Sequence, residues 1–471
     1  MGELSIRTTP IPGLLVIDLP VHGDNRGWFK ESWQREKMTA LGLPDFSPVQ
    51  NNISFNDKVG ATRGIHAEPW DKFTSVATGR IFGAWVDLRD GPTFGTPFSL
   101  EMGPETALFV PRGVGNGYQT LADNTAYTYL VNDHWNPQAR DKYIYLNLAD
   151  ETAAIPWPIP LAEAELSEAD RAHPRLADAR RFSPRRTLVL GAAGQLGRAL
   201  RDLSPSPGRV PAELVARDQL DIADGDAVES WGWSAYDVIV NATGYTKVDH
   251  AETDEGRAAA WLVNAHAPSR LAAIANRHQS TLVHVSTDYV FDGTRDLSRE
   301  DDPFAPLGVY GQSKAAGDIG VARAGRHYIV RTSWVIGEGH NFVRTLRDLA
   351  GRGVCPTVID DQHGRLTFAS DLAAAIDHLV ATQAPYGTYN VTSSGPSTTW
   401  CEIAREVFRF CGRDPDDITP VSTEQYADGK QVAPRPRNST LDLAKIEATG
   451  FTPRDGLQQL RGYLERLRDS A

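Results

Sequence analysis

Residues 81–88 alternate, with Phe82, Ala84, Val86 and Leu88 on one side and Ile81, Gly83, Trp85 and Asp87 on the other. A period of two predicts a half-buried β-strand. The turn Asp90-Gly91-Pro92 follows. ALFVP at 107–111 is a short apolar run, succeeded by Gly113, Gly115 and Gly117, and AYTYLVND at 126–133 is a further strand candidate. Up to about residue 175, short strands punctuated by Gly and Pro, with few helical stretches, predict a sandwich or jelly-roll barrel.

From about 186 the pattern changes. RTLVLGAAGQLGRAL is an apolar strand, a glycine turn and a helix start. ELVA (213–216), YDVIVNATG (236–244), STLVHVST (280–287) and RHYIVRTSW (326–334) are buried-strand runs separated by Ala-rich helical stretches. Such alternation predicts a parallel, doubly wound sheet. Between the halves, LSEADRAHPRLADARRFSPRR is charged and carries Pro174 and Pro184, which reads as a connecting segment and puts the junction near 180. The expected domains are 1–180, all-β with a C-terminal linker, and 181–471, a Rossmann-type core followed by a C-terminal substrate subdomain.

Composition narrows the function. The 471 residues suit two or three domains. Lys and Arg total 48 against 60 Asp and Glu, a formal charge of -12, which argues against a nucleic-acid binder but leaves room for a local basic pocket. No apolar run is long enough to span a bilayer, and the start, MGELSIRTTPIPG, lacks the order of a secretory signal. The three cysteines, Cys355, Cys401 and Cys411, fall in no metal-ligand spacing. A cytoplasmic location and no membrane partner are expected.

Gly191, Gly194 and Gly197 form G-x-x-G-x-x-G between a strand and a helix, the setting in which a pyrophosphate meets a helix N-terminus. Glycines alone only mark a turn; this context favours a dinucleotide. After ELVA stands Arg217, where an NAD site would carry an acid. A guanidinium there suits the 2′-phosphate of NADPH, with a solvated surface arginine as the bland reading. Tyr310 and Lys314 form Y-x-x-x-K, one helix face, so an ammonium can sit beside a phenol. Thr287 and Asp288 close a strand, where doubly wound sheets place ligands; Thr287 can equally be a cap.

In the first half, Arg26 (DNRGWFKES), Arg63, His66 and Lys72 (TRGIHAEPWDK) and Tyr129 are polar residues that a barrel could point inward. Histidine is the usual base near neutrality, tyrosine can return a proton, and cations suit a diphosphate or an enolate. A metal reading fails on spacing, because His66 and Glu68 lack further histidines nearby.

GAAGQLG, NATGYTKVDHAE, STDYVFDG, YGQSK, RTSWV, NFV and RPRNS occur in this order. The region from 186 onward thereby resembles dTDP-4-dehydrorhamnose reductase, an extended short-chain dehydrogenase. The resemblance implies NADPH, or NADH, reducing the C4 ketone of a nucleotide-linked 6-deoxyhexose. It implies Thr287, Asp288, Tyr310 and Lys314 in catalysis, with Tyr310 the proton donor. Gly191, Gly194, Gln195, Leu196, Gly197, Arg217, Asp221, Ile222, Asn241, Ala242, Tyr245 and Lys247 would hold the cofactor together with Tyr310 and Lys314, the lysine orienting its ribose, and Trp334, Asn341 and Arg435 the sugar nucleotide. His363 stands where the family often has an aromatic. Magnesium is described for some members, but no ligand cluster places an ion here.

Residues 1 to about 175 resemble dTDP-4-dehydrorhamnose 3,5-epimerase, a metal-free cupin-like jelly roll. The resemblance rests on DNRGWFKES, VQNNIS, RGIH, PTFG, FVPRGVGNGYQTL and the strand of Tyr129. It implies His66 as base, Asp150 as its partner, Lys72 stabilising the enolate and Tyr129 protonating the opposite face. Arg26, Phe29, Glu31, Gln50, Asn52, Arg63 and Asn116 would contact the nucleotide sugar. Asn116 and Ser75 replace a His and an Arg of many members. Together the halves imply a bifunctional enzyme making dTDP-L-rhamnose, expected as a homodimer. The rival readings are one active half, another 6-deoxysugar product, or a nucleotide sensor without turnover.

Overall fold

The alternation at 81–88 folds as the strand Ile81–Asp87, but all seven residues are buried, not one face only. In this computed structural model, the described residues are 3–46, 48–135, 142–183, 186–203 and 212–469. The reason for the double burial is position. The strand lies inside a five-stranded antiparallel sheet, in the order Ile144–Tyr145, Thr62–Ala67, Val114–Thr120, Ile81–Asp87, Pro97–Met102. One face packs Ile81 and Trp85 against Val76, Leu108 and Tyr127 of a second sheet. The other packs Val86 and Leu88 beneath Leu146, Leu148 and Leu176.

The second sheet is six-stranded and antiparallel, in the order Ser5–Thr8, Leu15–Asp18, Thr106–Val110, Lys72–Thr78, Thr125–Val131, Gln50–Asn56. The charged segment after 165 is not a free connection. It forms the helix Glu168–Arg171 and is stitched down by backbone bonds: Asn147 N–H to Pro174 O (2.8 Å) and Phe182 N–H to Leu88 O (2.7 Å). Pro184 lies outside the described residues. The chain divides into two units, Met1–Pro184 and Arg185–Ala471.

The second unit is built on a six-stranded parallel sheet, ordered Glu213–Val215, Arg186–Leu190, Tyr236–Asn241, Thr281–Thr287, His327–Thr332, Gly387–Asn390. Its strands are apolar because helices cover both faces. Leu271 and Ile274 of Ala267–His278 pack on one side, and Leu372 and Ile376 of Ala369–Ala381 on the other. A separate cluster around Leu346, Phe408 and Leu464 joins Phe342–Gly351, Trp400–Phe410 and Gly456–Asp469. From Arg186–Leu190 the chain runs first to one neighbouring strand and then to the other. This is the switch point where open α/β sheets leave a crevice for ligands.

Helix Gln195–Asp202 closes on that crevice at Gly197, where a Cβ would fall 2.3 Å from Gly191 O and 2.6 Å from Ala192 Cα. Gly197→Ala therefore forces the helix off the turn. The expected cost is about 1–3 kcal/mol, read as a lowered thermal midpoint. Gly232→Ala, whose Cβ meets nothing within 4 Å, serves as the control. Equal behaviour of the two variants would refute this account of the turn.

Candidate active sites

In the first unit a cavity of about 1040 Å³ opens between the sheets and is lined by Arg63, His66, Lys72, Asn116 and Tyr129, among others. His66 comes from Thr62–Ala67, Lys72 from Lys72–Thr78, Asn116 from Val114–Thr120 and Tyr129 from Thr125–Val131. Two neighbouring strands of each sheet thus bring residues far apart in sequence to the two sides of one cavity. The Lys72 ammonium is buried, paired with Glu68, and donates to Asn116 Oδ1 (2.6 Å). It lies 5.7 Å from the centre of the Tyr129 ring. Burial pushes the Tyr129 phenol up from its usual range, helped by the Glu68 charge, so it keeps its proton at neutral pH.

The partner of His66 is Asp170, not Asp150. His66 Nε2 lies 3.0 Å from Asp170 Oδ1. Burial opposes ionisation of Asp170, but the hydrogen bond and charge of His66, with a further bond from Ser167, outweigh it and hold the carboxyl below its usual range. The carboxylate can therefore fix the imidazole with its proton on Nε2, leaving Nδ1 as the basic atom. Asp150 is spent on the backbone: it accepts from Thr152 N (3.0 Å), Ala153 N (2.8 Å) and Leu176 N (2.7 Å), holding the tail in place. A helix-capping serine before Glu168–Arg171 was the only local signal for Asp170.

Several expected sugar contacts stand outside this cavity. Arg26 pairs with Asp24 on the hairpin of Val21–Asp24 and Gly27–Lys30, with its side chain 84% exposed, and Phe29 on the same hairpin is 66% exposed. Glu31 pairs with Lys37 (2.7 Å), and Gln50 Nε2 donates to Asn52 Oδ1 (2.8 Å). Arg63 alone of this group reaches the wall, with Nε donating to Asn56 Oδ1 (3.2 Å). Ser75 is buried against Ser32 Oγ (3.1 Å).

In the second unit, Gly191 has φ +88°, and a Cβ there would meet Ala242 O at 2.9 Å, so the turn and the end of Tyr236–Asn241 touch backbone to backbone. Gly194 caps Gln195–Asp202 without a side-chain bond, which leaves the first helical N–H groups of Gln195 and Leu196 for an anion. Arg217 is exposed and bonds Asp221 through Nε (3.0 Å), while Ile222 packs in the core. Asn241 is buried, and its Oδ1 accepts from Thr243 N (3.2 Å) and Oγ1 (2.5 Å). Tyr245 OH meets His250 Nδ1 (2.5 Å), and Lys247 is exposed.

The helix Val309–Val321 carries Tyr310 and Lys314, and Glu252 Oε1 receives the Val309 N–H (2.8 Å) at its start. Lys314 Nζ donates to Val285 O (2.6 Å) and lies 3.3 Å from His284 Nε2. Burial drops the Lys314 ammonium to about 8, with Asp318 pulling the other way. Burial pushes the Tyr310 phenol up to about 12, a hydrogen bond with Thr287 opposing. Thr287 Oγ1 also donates to Asp288 Oδ1 (2.8 Å), and burial raises Asp288 to about 6. Tyr289 stands edge-on to Tyr310 at 5.7 Å. Arg435 bonds Tyr289 and pairs with Asp249 (2.8 Å).

Trp334 stacks on Trp400 at 3.8 Å, and His363 is exposed on the short strand His363–Gly364. Asn341, expected at the sugar, is used by the fold: it caps Phe342–Gly351 through Arg344 N (3.0 Å) and donates to Gly337 O (2.8 Å) and Tyr463 OH (3.0 Å). Two buried residues that sequence reading passed over brace this site. Asn264 Oδ1 accepts from Tyr245 N (2.8 Å) while its Nδ2 donates to Ser313 Oγ (3.1 Å), tying the loop after Asn241 to the Tyr310 helix. His284 bridges Asn241 (3.1 Å) and Lys314. Neither lies in a spacing that announces a role.

An acid–base site in a β unit and a Tyr–Lys site beside a glycine turn define a two-part enzyme. A family model described as dTDP-4-dehydrorhamnose 3,5-epimerase matches residues 8–178, and one described as RmlD substrate binding domain matches residues 185–468. Protein RmlC homolog of Streptococcus pyogenes serotype M6 is 49% identical over 180 residues, 37% of this chain and 90% of that protein. The dTDP-4-dehydrorhamnose reductase of Aggregatibacter actinomycetemcomitans is 38% identical over 295 residues, 59% of this chain and 99% of that one. The crystal structure of dTDP-4-dehydrorhamnose reductase from Bacillus anthracis in complex with NADP superposes with a TM-score of 0.55 at 32% identity, covering 61% of this chain and 99% of that one. The chain belongs to both families, with the epimerase fused ahead of the reductase.

Lys314 also gives the second unit a pH signature. Between pH 8 and the ordinary 10.5 the unfolded chain holds the lysine proton and the folded chain does not. The free energy of unfolding therefore gains a contribution that rises with pH across that window. Chemical denaturation of the chain and of Lys314→Met across pH 8 to 10.5 should show the parent's stability rising relative to the variant's. A difference that stays flat or falls contradicts the assignment.

Proposed function

We propose that the chain catalyses two consecutive reactions, 3,5-epimerisation of dTDP-4-dehydro-6-deoxy-D-glucose and reduction of the C4 ketone to give dTDP-L-rhamnose. The first unit is read as a cupin-like jelly roll and the second as an extended short-chain dehydrogenase. The observation that carries the reading is the pairing, around one cavity, of His66 held by Asp170 with the proton-bearing Tyr129.

The protons on C3 and C5 are acidic because each carbon adjoins the C4 ketone. His66 Nδ1 takes a proton from one of these carbons, and the electron pair moves onto the C4 oxygen as an enolate. Lys72, buried beside Tyr129, offsets that charge. Tyr129 returns a proton from the opposite face, which inverts the carbon. Once solvent has taken the proton from His66 and returned one to the Tyr129 oxygen, repetition at the second carbon completes the epimerisation.

The residues of the second unit fit NADPH: the glycine contacts admit backbone only, the helix N-terminus lacks a side-chain cap, and Arg217 is exposed nearby in sequence to Asp221. NADPH, when bound, supplies the hydride that C4 receives. A Tyr310 phenol that keeps its proton until needed is suited to giving it to the C4 oxygen as alkoxide charge develops. Thr287, bonded to that phenol, can orient the same oxygen. Reduction removes the ketone and so ends the acidity that epimerisation requires.

The test is a one-pot assay with dTDP-4-dehydro-6-deoxy-D-glucose and NADPH, following absorbance and identifying the sugar by NMR. The parent should form dTDP-L-rhamnose. His66→Ala should form none until a separate epimerase is added, and Tyr310→Phe should not oxidise NADPH. Asp170→Asn should slow epimerisation by roughly a hundredfold or more, whereas Asp150→Asn should act through stability. No NADPH consumption by the parent, even with a helper epimerase, would remove the reductase reading.

A homodimer completes the proposal. The outer strand Gln50–Asn56 leaves Ile53 67% and Phe55 55% exposed, and Arg26 and Phe29 of the hairpin are exposed and line no part of the cavity. An unpaired sheet edge with apolar side chains is a ready contact for a second copy, and Arg26 and Phe29 would then serve the neighbouring cavity. Sedimentation equilibrium should give twice the chain mass. A monomer at assay concentrations would leave those residues without that role.

A further inference from the structure

Asp170 has a second histidine beside it. His173 Nδ1 lies 3.9 Å from the same Oδ1 that meets His66 Nε2 at 3.0 Å. One nitrogen of each histidine and a carboxylate oxygen all fall within 4.8 Å of one another. A tetrahedral ion with ligands at about 2.0–2.2 Å places its donors roughly 3.3–3.6 Å apart, so the observed spacing needs only small side-chain adjustments.

The donor chemistry points the same way. His173 Nδ1 is buried and has no hydrogen-bond partner among the described residues. A hydrogen bond to the Gly64 backbone engages the His173 ring. With Nδ1 unpartnered, the backbone bond falls to the other nitrogen, which leaves a lone pair on Nδ1. Two acceptors, that lone pair and a carboxylate oxygen, therefore face each other across a gap with no proton between them. A histidine whose second nitrogen is fixed by a backbone carbonyl is the usual arrangement at a metal ligand. The ring is held further by stacking on Tyr145 at 4.7 Å and 27°.

We propose that His66, Asp170 and His173 form a site for a zinc-type divalent ion that switches the epimerase off. The site rests on geometry, while its consequence rests on the reading of His66 as base. Ligation takes the Nε2 lone pair, so the imidazole proton moves to Nδ1, and the atom that would accept the C3 or C5 proton is lost. The cavity side of His66, 34% exposed, supplies the fourth position for water. Spacing in sequence could not reveal the site, since Asp170 and His66 are 104 residues apart.

The experiment uses the full chain, stripped with chelator and titrated with zinc ions alone. Calorimetry should find a site whose affinity falls at least tenfold in both His173→Phe and His173→Gln. Anomalous scattering at the zinc edge from soaked crystals should place the ion between the three side chains. Solvent deuterium incorporation at C3 and C5, without NADPH, should stop in zinc-loaded parent. It should continue in His173→Phe at the same zinc concentration. Zinc that binds parent and both variants alike, or fails to bind the parent, overturns the site. If metal-free parent shows no deuterium exchange, the epimerase reading fails while the binding result stands apart from it.

Discussion

Charge held out of water, always against a partner, is the constraint on which both halves depend. An isolated ion in a protein interior is too costly to keep, so each buried charge fixes the position of the group that neutralises it. Lys72 is kept beside Tyr129 by Glu68 and Asn116. His66 is kept in one orientation by Asp170. In the second unit the buried pair Arg331–Asp318, 3.0 Å apart, clamps Val309–Val321 to the strand His327–Thr332. Tyr310 and Lys314 ride on that clamped helix. Chemistry and architecture use the same ion pairs.

Much of this was legible along the chain because it is local. The strands at 186–190, 213–215, 236–241, 281–287 and 327–332 coincide with apolar runs, and the glycine turn and the Tyr310–Lys314 spacing are short-range patterns. What escaped was set by tertiary neighbours. Alternation at 81–88 reads as one buried face, yet the tail 144–182 covers the other. Asp150 and Asp170 sit in similarly acidic stretches, and only the fold decides that one binds backbone and the other His66. Asn341 looks like a polar ligand in sequence but is consumed as a helix cap and a brace. Asn264 and His284 have no pattern at all, because what they join lies on different elements.

The placement of Asp170 also bears on how such a chain can be taken apart. The backbone of the first unit is bonded in as far as Phe182, through Leu88 O and the Asp90 N–H, and the strand of the second unit opens at Arg186. A stretch that looks dispensable, a charged run with prolines, therefore carries the carboxylate that orients His66 in the upstream half. Cleavage at its exposed charges would cost the first activity and spare the second. A protease that nicks ahead of Asp170 would leave the second unit whole and a barrel whose His66 has lost its partner.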